Sequence, residues 1–126
     1  MIHRALTHGL AIVLLATVFG ACNKEEPTTA VIIVKNEAGA PMPGAYVKLF
    51  ANPAYPLADA SRLMKEANAD GEGRATFDYS DFYEQGQSGF AVLDIISSQD
   101  TLIGEGIIKI VEEENTEETV ILLPAQ

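Results

Sequence analysis

The chain of 126 residues has no tryptophan, a single cysteine (Cys22), and only two histidines, His3 and His8, both within the first eight residues. It has no second cysteine to close a disulfide, so a small exported domain built from it must be held by packing alone. If the N-terminal segment is removed, no imidazole or free thiol remains. Ser-His-Asp and Cys-His nucleophilic sites are then excluded, together with the usual zinc, copper and non-haem iron ligand sets. Cations are also scarce, at 8 Lys and Arg against 18 Asp and Glu. Such a field repels phosphate backbones, which argues against nucleic acid as a partner, and it disfavours anionic headgroups as well. Paired carboxylates are present, as in any acidic chain, but nothing specifies their separation or a shielded pocket.

What the chain does have begins at its N-terminus. Met1-Ile2-His3-Arg4 is short and basic, Gly9 to Phe19 is almost wholly apolar, and Gly20-Ala21 is small. That order is a secretory signal, and its apolar run falls short of the roughly 18 residues a membrane span needs. Cys22 directly after Gly20-Ala21 resembles the lipobox of bacterial lipoproteins, although Phe19 stands where leucine is usual. The resemblance implies cleavage before Cys22 and acylation of its thiol and new amine. The alternative is an ordinary signal peptide with an incidental cysteine. Cleavage leaves 105 residues, with 18 acidic and seven basic side chains and a formal charge of −11. With that charge, membrane attachment must come from the acyl chains, of which stable anchoring takes about two.

Cys22 to Thr29 reads as a polar tether ending in Pro27-Thr28-Thr29. Its Lys24-Glu25-Glu26 also resembles the export signal that sends lipoproteins of gliding and gut bacteria to the outer face of the outer membrane. A solvated charged linker, with a periplasmic location, is the plain alternative.

From Ala30 to Gln126 the apolar residues come in short β-branched runs separated by turn residues. Ala45-Tyr46-Val47-Lys48-Leu49-Phe50 alternates with period two, as a half-buried strand does. Ala30–Lys35, Arg62–Ala67, Arg74–Tyr79, Phe90–Ile96, Thr101–Ile103, Gly106–Val111 and Thr119–Leu123 supply the other strand candidates. Asp70-Gly71 predicts a hairpin turn. Ser80 to Gly89 reads as a polar loop, and Glu112 to Glu118 as a turn too charged to bury. The pattern predicts an all-β, single antiparallel Greek-key sandwich of about seven strands. No segment supplies long crossover helices.

Val31, Ile33, Gly39, Pro43-Gly44-Ala45, Val47 and Leu49, followed by Asp70, Gly73, Ala75 and Phe77, resemble the carboxypeptidase regulatory-like domains of the transthyretin-like and Cna-B-like group. Lys35 falls where Cna-B-like domains place an isopeptide lysine, with Asp94 the candidate acid. Thr119 to Leu123 has no Asn or Asp electrophile, so Lys35 reads as a strand end. The hydroxyisourate hydrolases and intradiol dioxygenases of related fold depend on histidines that the processed chain lacks. The expectation is therefore a non-enzymatic binding, adhesion or accessory module without cofactor or metal. A structural spacer, a periplasmic transporter subunit and a transthyretin-like hydrolase stand as alternatives. Asn68, Asp70 and Glu72 read as a turn rather than a calcium loop. Tyr55, Tyr79, Phe82 and Tyr83 are the candidate surface for a glycan or envelope protein, with aromatics capping the core as the competing reading.

Overall fold

The computed structural model describes residues 26–51, 63–84 and 90–125. Among the described residues, eight strands form two packed sheets, accompanied by one short helix. The strands are β1 (Thr29–Lys35), β2 (Tyr46–Phe50), β3 (Lys65–Asn68), β4 (Arg74–Asp78), β5 (Phe90–Gln99), β6 (Leu102–Val111), β7 (Asn115–Ile121) and β8 (Leu123–Pro124), and α1 spans Ser80–Glu84. One sheet has the order β4-β1-β7 and the other β3-β2-β5-β6-β8. All pairs are antiparallel except β1 with β7, which run parallel. The architecture is an all-β sandwich, as its strand pattern predicts.

Alternation puts one set of side chains from each sheet into a shared core. Ala30, Ile32 and Val34 of β1 and Ala75 and Phe77 of β4 meet Val47, Leu49, Leu93, Ile95, Ile108 and Ile110 from the facing sheet. Val120 and Leu122 fill the corner where the chain crosses between sheets. The crossing depends on two core-facing glycines of β6. A Cβ on Gly104 would lie 2.6 Å from Val120 Cγ1 and 2.7 Å from the Ile121 carbonyl oxygen. Gly106 is less tight, with Ile95 Cδ1 and Val120 Cγ2 each at 3.4 Å.

Four local readings are corrected. Thr101–Ile103 and Gly106–Val111 belong to one continuous strand, β6, joined to β5 by the two-residue turn Asp100-Thr101. Asp100 takes a left-handed backbone there, with φ 55°, which aspartate tolerates better than most residues. Asp70 does turn the chain, its N–H donating to the Arg74 carbonyl and its own carbonyl accepting from Gly73 N–H. However, β3 pairs with β2 and β4 with β1, so this turn is a corner between sheets and not a hairpin. Asn115 to Glu118 extend β7 with their side chains largely in water. The ladder to β1 is made by backbone, so charge on those side chains costs it little. Ser80 to Glu84, expected as loop, form α1.

The body begins at Thr28, two residues before the expected boundary. Thr28 is buried, its N–H donates to Ser80 Oγ, and its carbonyl accepts from Tyr79 N–H. Its Oγ1 accepts from Glu113 N–H. Three segments distant in sequence are thus fastened where the N-terminal segment enters.

Gly104→Ala should cost about 1–3 kcal/mol, because a methyl group is forced against a packed side chain and a backbone carbonyl. Gly71→Ala has open space and no left-handed backbone, and it should be neutral or slightly stabilising. Urea unfolding of both variants checks the contrast.

Candidate functional site

Only some of the candidate residues lie among those described. Cys22, Lys24, Glu25 and Tyr55 lie outside the described residues, and Glu26 is exposed at their edge. Tyr79 is a core residue, 1 % exposed, whose hydroxyl donates to the Leu63 carbonyl at 2.9 Å. Burial pushes its phenol well above the ordinary value. It offers no ring face to a ligand, so its place in the expected binding surface is corrected. Phe82, on α1, packs against the same core. Tyr83 follows it on α1. Tyr79 and Phe82 cap the sandwich because α1 folds over the end of the core beside the Thr28 latch.

The Asp70 turn satisfies itself. Asp70 Oδ1 accepts from the N–H groups of Glu72 and Arg74 at 2.8 and 3.0 Å. Those two hydrogen bonds hold its carboxyl below the usual carboxylate range. Asp78 is lowered in the same way by the Ser80 side chain and then the Ser80 N–H. Both are turn-forming carboxylates. Among the described residues no group of three or more His, Cys, Asp or Glu is placed to hold a metal ion.

Lys35 pairs in register with Ile121 of β7. Asn115, the only amide side chain of β7, lies at the far end of that ladder, where its Oδ1 accepts from Thr29 Oγ1. The strand-end reading of Lys35 fits this placement.

The structure brings together a different set of residues. On the outer face of the five-stranded sheet, Phe50, Asp94, Ile96, Glu105 and Ile107 surround a shallow depression of about 480 Å³, floored by the backbone of Ile95 and Gly106. Further along the same face the Lys109 Nζ sits 4.2 Å from the Phe90 ring centre, and Lys48 lies 5.3 Å from that of Phe50. Sequence reasoning misses this face. Its signal is present in the runs Ile95-Ile96 and Ile107-Ile108, which are apolar on both sides of a strand and so read as strands buried on both faces.

No protein-family model and no curated protein matches the chain. Solved structures do. A hydroxyquinol 1,2-dioxygenase from Pseudomonas putida aligns with TM-score 0.51 and 7 % identity, over 82 % of this chain and 58 % of that one. A 3-chlorocatechol 1,2-dioxygenase from Rhodococcus opacus aligns with TM-score 0.47 and 13 % identity, over 82 % of this chain and 62 % of that one. The chain therefore spans less than two thirds of either dioxygenase. The first likeness shows the fold. It is a β-sandwich like the one that dioxygenase carries, and that finding corrects the resemblance to the carboxypeptidase regulatory-like, transthyretin-like and Cna-B-like group.

The physical reason lies in what carried that resemblance. Gly39, Gly44 and Gly73 have positive φ, and the Asp70 carboxylate closes a corner. Sandwiches of many families need the same turn chemistry at the same places. The expectation of a non-enzymatic module rested on that resemblance and is withdrawn with it; one solved protein of this fold, the hydroxyquinol 1,2-dioxygenase, is an enzyme. Fold likeness at this identity neither supplies nor excludes an activity.

Two outcomes are expected. Tyr79→Phe leaves the buried Leu63 carbonyl without its donor and should cost about 1–2 kcal/mol by chemical denaturation. Asp70 and Asp78 have lowered values in the folded chain, so their contribution to stability is present above about pH 4 and is lost as pH falls through those values. Melting temperature should therefore drop below pH 4, and the drop should be shallower in Asp78→Asn.

Proposed function

We propose that this chain is an exported lipoprotein, cleaved before Cys22 and acylated there, which holds its β-sandwich close to the outer membrane. The observation that carries the proposal is the sequence around Cys22: a basic start, an apolar run, and the small pair Gly20-Ala21 immediately before the only cysteine. Lys24-Glu25-Glu26 supports display on the outer surface, with the periplasmic leaflet as the alternative address.

The latch at Thr28 gives this tether a mechanical consequence. Six residues of extended chain reach about 20 Å, so the end of the sandwich that carries Thr28, α1 and the turn at Glu112 to Glu114 stays within that distance of the lipid surface. That end is acidic, with Asp78, Asp81 and the three glutamates. Anionic headgroups repel it, so attachment falls to the acyl chains. The short tether then confines whatever the sandwich meets to a thin layer above the membrane.

Palmitate labelling of cells expressing the chain should mark the wild-type protein and leave Cys22→Ser unmarked and released from the membrane fraction. An unlabelled wild-type protein sinks the anchor. Trypsin applied to intact cells should cut the tether after Lys24 and free a body starting near Glu25. Protection until the outer membrane is broken assigns the inner leaflet instead.

A further inference from the structure

The two outer faces of the sandwich differ. On the three-stranded sheet, Arg74 of β4 and Glu117 of β7 form an ion pair at 2.6 Å that passes over β1. Val31, between those two strands on β1, is only 6 % exposed although it points away from the core. Among the described residues, no ion pair crosses the five-stranded sheet in this way. Phe90, Val92, Ile96, Ile103, Ile107 and Leu123 all stand on its outer face with 39 % to 62 % of their surface exposed. Contiguous apolar surface of this kind marks an interaction site.

We propose that this face packs against the same face of a second copy of the chain. Its charges argue for a copy. Glu105 and Lys109 flank Ile107 on β6, and Lys48 on β2 stands level with Glu105, both being in register with Ile96. Two sheets stacked face to face keep their strands within about 30° of one another, which leaves two two-fold arrangements. With strands antiparallel and the axis along the row Asp94–Ile107, Glu105 lies over the second copy's Lys109, and Ile96 over its Val92. With strands parallel and the axis along β5, Glu105 lies over the second copy's Lys48, and Ile107 over its Phe50. In either direction a carboxylate meets an ammonium twice and apolar side chains meet apolar side chains. Asp94 meets its own copy in both, which opposes the association.

The size of the face sets the strength. Its five strands sweep roughly 500 Å² of sheet, at about 3.3 Å per residue and 4.8 Å per strand, before side chains corrugate it. A standard interface takes about 800 Å² of accessible surface from each partner. A face below that size fits a weak, transient association. Two-fold symmetry about the membrane normal places both Thr28 ends at one height, so two copies tethered in one membrane can form it. The dimer itself does not rest on the anchor.

The test is sedimentation of the full-length chain and of its Cys22→Ser variant in mild detergent, from about 1 to 300 µM, a span that reads weak association. Both should dimerise alike. Association confined to the chain that keeps Cys22, or monomers throughout for both, overturns the proposal. Glu105→Lys should weaken the dimer at least tenfold, and so should Lys109→Glu (antiparallel) or Lys48→Glu (parallel). An equimolar mixture of Glu105→Lys with the effective lysine variant restores both ion pairs and should recover a heterodimer of near wild-type affinity. Recovery in neither mixture overturns the proposal. Asp94→Asn should tighten the dimer several-fold, and a weaker dimer would count against this face. All four positions lie on the sheet surface, so circular dichroism should show every variant folded.

Discussion

The fold closes where β7 leaves the edge of β6 and joins the other sheet beside β1. No Cβ fits at Gly104, whose place is taken by Val120 and the Ile121 backbone. The close approach lets Val120 and Leu122 complete the core from the corner, and it lets the Leu122 N–H reach the Lys35 carbonyl. Parallel pairing of β1 with β7 follows from the same crossing, since β7 returns alongside a strand from the other end of the chain. With no disulfide available, this corner and the Thr28 latch tie the termini of the body to its middle.

The latch also fixes where the N-terminal segment enters the body. Thr28 uses its N–H, carbonyl and hydroxyl to bind Ser80, Tyr79 and Glu113. A pull on the N-terminal segment is therefore resisted by α1 and by the β6–β7 turn as well as by β1. Without these bonds the first strand would fray and expose Ala30 and Ile32.

Period-two alternation makes β2 and β4 legible in the amino-acid order, and short apolar β-branched runs mark β1 and β5. The charged segment Asn115 to Glu118 is not legible in that way, since an edge strand whose side chains face water carries no apolar alternation. Five residues are too few to show helical periodicity, so α1 hides in a polar stretch. Tyr79 resembles a loop aromatic because its neighbours are polar, and only the chain reversal after Asp78 turns it into the core. The turn residues do mark turns, but they do not identify the family. Glycine at positive φ and an aspartate that caps its own turn report local geometry, which unrelated sandwiches share.

The unequal outer faces are a stronger guide to behaviour than those motifs. Both sheets present isoleucine and valine outward, so hydrophobic content alone does not separate them. What separates them is cover: Arg74 and Glu117 bridge β1 at a separation set by the two ladders, whereas Lys48 and Lys109 on the other sheet lean over their own aromatic neighbours. An exposed cation–π contact of that sort is worth about 0.5–1 kcal/mol, little enough to be exchanged for a carboxylate across an interface. The five-stranded face thus keeps its apolar residues open and its charges available. That combination is informative because the β5 and β6 runs could have been shielded at no cost to the core behind them.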